Sequence, residues 1–179
     1  MRKILLPLVA SIVIASPAAA RDFAGPYVGA GVTLDNVQGS GPNEGLGVSG
    51  IGGTIFLGYD LPLGEKAFAG VEANADLASA DDDANTGLEA KWGWGVSGRL
   101  GYKLNDSTAA YARVGYARGQ FGVKGCGKAC NSWGDAVRYG AGLETSVSQN
   151  VSLRAEFSQY NFESDVINNQ VSVALSYGF

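Results

Sequence analysis

Apolar and polar residues alternate one by one through most of the chain after residue 20. The segment AKWGWGVSGRLGYKL shows this most clearly, with Trp92, Trp94 and Val96 on one face and Gly93 and Gly95 on the other. A period of two is typical of a β-strand whose two faces meet different surroundings. The pattern predicts eight strands: PYVGAGVTL, GIGGTIFLGY, AFAGVEANADL, AKWGWGVSGRLGYKL, AAYARVGYARG, VRYGAGLET, VSLRAEFSQY and QVSVALSYGF.

The connections between these segments alternate in length. The stretches NVQGSGPNEGLGVS, SADDDANTG, the segment around the two cysteines and NFESDVINN are longer than DLPLGEK, NDST and SVSQN. This order is typical of an even-stranded barrel with long outer loops and short turns on the side of both termini. The predicted fold class is therefore all-β, an eight-stranded antiparallel up-and-down transmembrane β-barrel.

The beginning of the chain has the pattern of an export signal. Arg2 and Lys3 precede an apolar run, and Ala18-Ala19-Ala20 has the small residues of a cleavage site. We therefore predict a signal peptide at residues 1–20 and a barrel domain at residues 21–179. The apolar run is shorter than the roughly 20 residues of a membrane-spanning helix. No later stretch approaches that length, so membrane spanning has to be done by strands.

Charge narrows the possible partners. Removal of residues 1–20 takes away two basic residues and no acidic one, which changes 13 basic residues to 11 against 17 acidic ones and the net charge from -4 to -6. A negative chain of this kind argues against nucleic acid or an anionic membrane surface as a partner. Apolar residues make up 46% of the chain, which is too many for a disordered protein.

Both a membrane barrel and a soluble one alternate, and they differ in which face points outward. A lipocalin-like barrel would place apolar residues inside and charges outside. Aromatic residues at the strand ends favour the membrane version, because rings of this kind form girdles at the two membrane surfaces. The predicted girdle has Trp92 and Trp94 at the outer end, and Tyr59, Tyr102 and Tyr177 at the inner end.

Several segments resemble the small outer-membrane β-barrel proteins related to the OmpA transmembrane domain and to opacity-type surface antigens of Gram-negative bacteria. The resemblance is carried by FAGPYVGAGV, YARVGYARG, RYGAGLE, LRAEFSQY and the closing VALSYGF, and it spans the chain after residue 20. It implies a location in the bacterial outer membrane among its lipids, including lipopolysaccharide. It also implies that Phe179 is a signal for the barrel-assembly machinery. Phe23 departs from the family, in which Trp is frequent, and no peptidoglycan-binding domain is expected after the barrel.

The inward-facing charges are the main candidates for function. Charges removed from bulk water have to be paired or hydrated, and a lumen of eight strands is just wide enough to be filled by side chains. We predict a closed lumen, and the alternative is a narrow passive channel lined by the same residues. The predicted network consists of Glu72, Glu144 and Glu156 with Arg99, Arg113, Arg138 and Arg154. Asp76, Lys91 and Lys103 also fall on the inward face.

Other chemistry has little support in the sequence. Cys126 and Cys130 are predicted to form a local disulfide, with a redox pair or a metal site as alternatives. The chain contains no histidine, the usual general base, so neither an enzymatic activity nor a cofactor is predicted. Asp81, Asp82 and Asp83 resemble the start of a calcium loop but lack its later ligands, so a solvated acidic loop is expected. Such outer loops are where an extracellular ligand would bind.

Overall fold

The computed structural model of the protein describes residues 23–39, 47–77, 88–123, 132–162 and 166–179. β-Strands account for nearly all of these residues. Their bounds are β1 Gly25–Gly39, β2 Gly47–Pro62, β3 Ala67–Leu77, β4 Leu88–Lys103, β5 Thr108–Val123, β6 Ser132–Ser146, β7 Val151–Phe162 and β8 Val166–Gly178. β3 coincides with its predicted segment, whereas the other predicted strands are lengthened at one or both ends.

The sheet closes into a barrel. Each strand pairs with its neighbour in sequence, and β1 pairs antiparallel with β8 from Tyr27↔Gly178 to Gly39↔Val166. Closure gives every described strand two hydrogen-bonded neighbours, as a sheet in the hydrocarbon core of a membrane requires. The predicted eight-stranded antiparallel up-and-down barrel is confirmed.

Phe23 and Phe179 lie at one end of the barrel, which we call the proximal end, together with three turns at residues 63–66, 104–107 and 147–150. Gly64 in the first turn has a φ of 93°, a conformation that favours glycine. In the second turn the side-chain oxygen of Asn105 accepts hydrogen bonds from the backbone N–H groups of Ser107 and Thr108 at 2.9 and 2.8 Å. Such side-chain bonds stabilise tight turns.

At the opposite, distal end, the strands are joined by residues 40–46, 78–87, 124–131 and 163–165, which lie outside the described residues. The first three connections are longer than the proximal turns, as predicted. The fourth is shorter than predicted, because the pairs Asn161↔Ile167 and Phe162↔Val166 continue the β7–β8 ladder into the predicted loop.

The outer surface of the barrel is apolar. Most large aliphatic and aromatic residues on the predicted apolar faces are exposed, whereas the glutamates and arginines of the opposite faces are buried. This is the reverse of a soluble protein and the arrangement expected for a barrel surrounded by lipid. The prediction that apolar faces point outward is confirmed. Exposed examples are Val32, Leu34, Ile51, Ile55, Leu57, Val71, Val96, Leu100, Val114, Leu143, Phe157 and Val173.

Several strands continue distally beyond the apolar belt with polar residues on their outward face. Asn36 of β1 pairs with Ser49 of β2 in the ladder, and the Asn36 amide donates a hydrogen bond to Ser49 Oγ at 2.9 Å. Asn36 also faces Asn169 of β8. The ladder therefore extends past the apolar surface. Within the described ranges, no helix is long and apolar enough to cross a membrane.

Candidate functional site in the barrel lumen

All seven residues of the predicted network point into the barrel, and the structure brings them together. Glu72 and Glu156 lie on either side of Arg113, whose guanidinium nitrogens are 2.7 Å from Glu72 Oε1 and 2.9 Å from Glu156 Oε1. Arg138 reaches Glu156 Oε1 from the distal side at 2.9 Å. Each of these side chains is at most 6% exposed, so the pairs are shielded from bulk water. Buried pairs need this quality of geometry to offset the cost of desolvation.

The same network continues toward the proximal end. Arg154 donates to Glu72 at 2.6 Å and to Glu144 at 3.1 Å. Arg99 lies 3.1 Å from Glu144 on the other side. Glu72 and Glu144 are thus shared between arginines from different strands, which ties β3, β4, β6 and β7 together across the lumen.

Asp60, at the proximal end of β2, completes the network and was missed by the sequence analysis. Arg99 donates to both of its carboxylate oxygens, from Nε at 2.9 Å and from Nη2 at 2.8 Å. This two-point geometry is the strongest arrangement of guanidinium and carboxylate. The predicted set had four arginines and three glutamates. With Asp60, four positive groups face four negative ones, so this network is electrically neutral.

Hydroxyl groups satisfy further carboxylate oxygens. Tyr27 donates to Glu72 at 2.9 Å, and Tyr111 donates to Glu156 at 2.5 Å. Ser158 and Ser176 donate to Glu156 and Glu144 at 2.6 and 3.0 Å. Buried carboxylates with several donors keep their charge at lower cost. Neither tyrosine was predicted as a site residue, although both lie on strand faces that the alternation assigns to the lumen.

Aromatic rings surround two of the guanidinium groups. The Arg99 guanidinium lies 4.9, 5.1 and 4.8 Å from the ring centroids of Tyr27, Phe68 and Tyr111. Arg154 lies 4.4 Å from the ring centroid of Phe56. These distances are within the range of cation–π attraction. The rings fill lumen space that water would otherwise take.

Glycines on the lumen face make room for these rings. Tyr27 lies opposite Gly58 in the β1–β2 ladder, and Tyr111 lies opposite Gly142 in the β5–β6 ladder. A Cβ atom at Gly142 would lie 2.5 Å from the Tyr111 hydroxyl oxygen and 2.8 Å from a backbone oxygen of Ala155. The abundance of glycine on the inward face is therefore a packing requirement of the large lumen side chains.

The distal part of the lumen holds a second polar group. The Tyr160 hydroxyl lies 3.3 Å from Asp76 and 3.1 Å from Gln170, and the Gln170 amide donates to Asp35 at 3.0 Å. Asn168 also donates to Asp35, at 2.9 Å. Asp76 thus belongs to this distal polar group. Lys103 lies at the proximal end of β4, and the Lys91 side chain is outside the described part.

The predicted girdle residues all face outward. Trp92 and Trp94 lie toward the distal end of β4, and Tyr59, Tyr102 and Tyr177 lie toward the proximal ends of β2, β4 and β8. Trp133 was missed: its ring packs edge-on against Trp92 at 5.1 Å between centroids. The period-two pattern places Trp133 on the outward face if the sixth predicted strand is extended toward the cysteines.

Phe179 is 74% exposed and its backbone N–H donates to the Pro26 carbonyl oxygen at 3.2 Å. The cysteine pair, the acidic residues 81–83 and the predicted signal peptide lie outside the described residues. In the part of the chain that the structure describes, no group of three or more metal-binding side chains comes together.

A closed antiparallel barrel with an apolar outside and ion pairs inside defines a transmembrane β-barrel protein. The chain matches the family described as "Outer membrane protein beta-barrel domain" over residues 5–179. It therefore belongs to the outer-membrane β-barrel family and is a bacterial outer-membrane protein.

Solved structures show the same fold. The chain is similar to the attachment invasion locus protein Ail of Yersinia pestis, with a TM-score of 0.61, 15% identity and coverage of 87% of this chain and 99% of Ail. It is similar to neisserial surface protein A, with a TM-score of 0.64, 16% identity and coverage of 87% and 98%. Ail has also been solved with the heparin analogue sucrose octasulfate. A comparison with curated proteins finds no match.

Proposed function

We propose that this protein is a non-conducting outer-membrane barrel with a structural or surface-interaction role. The neutral network of four arginines and four carboxylates carries the proposal. Opposite charges that are already paired and buried leave no continuous row of hydrated groups for an ion to follow. Breaking one pair leaves an uncompensated buried charge, at a cost of about 3–5 kcal/mol. The paired state of the lumen is therefore the stable one.

The alternative is a narrow passive channel for ions or small solutes, lined by the same residues. Swelling of liposomes that contain the refolded wild-type protein separates the two. A closed lumen predicts the swelling rate of protein-free liposomes in potassium chloride and in small sugars. Faster swelling with the wild type would establish the passive channel in place of the closed barrel.

The distal loops are the proposed contact surface. By sequence, residues 78–87 carry three aspartates, residues 40–46 and 163–165 add three more acids, and residues 124–131 carry Lys124 and Lys128. Ail binds a sulfated ligand in its solved complex. The excess of acidic residues here favours a cationic partner over a sulfated one, because complementary charge guides association. Bacteria that display the protein should bind a polycation-coated surface more than a heparin-coated one, and the opposite order would contradict this proposal.

Removal of charge from the loops would locate this contact. Replacement of Asp81, Asp82 and Asp83 by Asn should weaken binding to the polycation-coated surface. Replacement of Lys124 and Lys128 by Gln is the matched control and should not weaken it.

The membrane environment supplies the remaining partners. We infer that lipids, including lipopolysaccharide, surround the outward aromatic residues at the distal end, where Arg118 lies 3.3 Å from Asp135 and its guanidinium 5.5 Å from the Trp133 ring centroid. The barrel-assembly machinery is proposed to read the terminal strand with Phe179. Residues 1–20 are proposed to be removed as a signal peptide. The absence of histidine from the sequence supports a role without catalysis.

A further inference from the structure

The proximal mouth of the barrel is occupied by the residue that begins the described chain. Phe23 precedes β1 by two positions, yet its side chain is only 1% exposed. Between Phe23 and the strand, Gly25 has a φ of 87°, a conformation that a residue with a side chain adopts at a cost. The chain therefore bends at the start of β1 so that the phenyl ring enters the lumen.

The ring of Phe23 packs on a second ring inside the mouth. Its plane lies 10° from that of Phe68, with 5.8 Å between the ring centroids, and Phe68 is 0% exposed. Ala109 and Tyr111 complete this buried cluster. It differs from the rest of the lumen, where charged and hydroxyl groups dominate.

The aromatic cluster lies directly against the ionic network. Phe68 and Tyr111 both contact the Arg99 guanidinium, at 5.1 and 4.8 Å from their ring centroids. Arg99 in turn holds Asp60 through two hydrogen bonds. Phe23 is thus on the proximal side of Phe68, between the Arg99–Asp60 pair and the open mouth. An apolar ring in this position excludes water from the Arg99–Asp60 pair. Water would otherwise screen the attraction between the two charges.

We propose that Phe23 is a stopper that narrows the proximal mouth, as a second constriction in series with the ion-pair network. This inference rests on the proposed closed lumen. The two constrictions differ in chemistry. Paired charges stabilise the network, whereas apolar contacts keep the ring of Phe23 in the mouth. Loss of the stopper alone leaves the network intact, and loss of Arg138 breaks the distal part of the network while the stopper remains.

Single-channel recording in planar bilayers tests the stopper with four proteins: wild type, Phe23→Ala, Arg138→Ala and the double variant. Wild type and Phe23→Ala should be silent, because the network is intact in both. Arg138→Ala should show small steps that the stopper limits, and the double variant should show steps several-fold larger. The same conductance in Arg138→Ala and the double variant, including silence in both, would overturn the stopper.

Two controls keep the outcome interpretable. Phe23→Trp combined with Arg138→Ala retains an aromatic ring in the mouth and should conduct like Arg138→Ala alone; steps as large as those of Phe23→Ala with Arg138→Ala would overturn the proposal. Each variant is first shown to be folded by its change in gel mobility on boiling. Steps in the wild type would instead contradict the closed lumen itself, so failure of the proposed function is distinguishable from failure of the stopper.

Discussion

At the scale of single residues, a lumen arginine and an outward arginine differ in what their loss leaves behind. Arg154 lies 2.6 Å from Glu72 and 3.1 Å from Glu144, and its side chain is 3% exposed. Arg154→Ala should lower the free energy of unfolding by about 3–5 kcal/mol, because it leaves buried carboxylates short of a cation. Urea unfolding of the protein in lipid vesicles measures this loss.

Arg118 provides the matched control. It lies 3.3 Å from Asp135, and its side chain is 43% exposed. Exposed pairs contribute roughly 0–1 kcal/mol, so Arg118→Ala should have little effect. Equal losses in Arg154→Ala and Arg118→Ala would show that the lumen pairs contribute no more than surface pairs.

A second residue-scale prediction concerns the space that lumen glycines provide. Gly142→Val should destabilise the barrel by about 1–3 kcal/mol, because its new Cβ would overlap the Tyr111 hydroxyl and a backbone oxygen that cannot move away. Gly98, on the outward face of β4, is the control, since a Cβ there would lie 4.0 Å from its nearest neighbour. Thermal unfolding monitored by gel mobility compares the two; a neutral Gly142→Val would contradict the packing requirement.

Which individual charges meet was only partly predictable. Alternation assigns a residue to the lumen, but a pairing between β3 and β7, such as Glu72 with Arg154, depends on how the barrel closes. Asp60 was missed because the apolar face of its strand was followed only as far as Tyr59. The predicted network contained one more arginine than glutamates. This imbalance of charge indicated that a carboxylate was missing.

At the scale of the strands, Phe179 at the seam between β1 and β8 has two proposed roles, as part of the barrel wall and as a signal for the assembly machinery. Its contacts in the folded barrel allow the two roles to be tested separately. In the folded barrel its backbone makes a single described bond, to Pro26, and its ring is largely exposed. Deletion of Phe179 should therefore leave refolding into detergent nearly unchanged. In cells the same deletion should strongly reduce the amount of protein in the outer membrane.

We expect this loss in cells because Phe179 is proposed to be an assembly signal. Phe179→Tyr keeps an aromatic terminus and is the control that should retain assembly. Membrane fractionation with a gel-mobility assay measures both variants. Equal assembly with and without Phe179 would show that the residue is only part of the barrel wall.

Strand existence followed from period-two alternation, whereas strand ends did not. The ladder of β1 continues from Leu34 through Asn36 because backbone hydrogen bonds extend the strand after its outward residues turn polar. Hydrophobic alternation detects only the part of a strand that contacts lipid. The distal extensions of β5 and β6 were missed for the same reason.

At the scale of the whole molecule, lipid contact predicts how the cost of a charge depends on depth. Val32 lies in the middle of the apolar surface of β1 and is 61% exposed, whereas Asn36 lies distally on the same face. Val32→Arg should destabilise the protein in bilayers by about 2–4 kcal/mol, and Asn36→Arg by about 0–1 kcal/mol. Unfolding in vesicles measures both, and similar values would contradict the assigned membrane belt.

The fold class and the outward face of each strand could be predicted from the sequence because each strand carries its own pattern of alternating apolar and polar residues. The number of strands and the lengths of the connections then predicted the topology. The interior was harder, since its chemistry arises from side chains on strands distant in sequence. For example, the aromatic surroundings of the Arg99–Asp60 pair form only because Tyr27, Phe68 and Tyr111 meet in the folded barrel.

Single-channel recording of wild type, Arg138→Ala and Arg118→Ala tests the central claim, a lumen closed by buried ion pairs, most directly. Each arginine lies near one carboxylate, Arg138 at 2.9 Å inside the barrel and Arg118 at 3.3 Å outside it. The ion-pair account predicts silence in wild type and Arg118→Ala and discrete steps in Arg138→Ala. Steps in the wild type, or silence in folded Arg138→Ala, would contradict it.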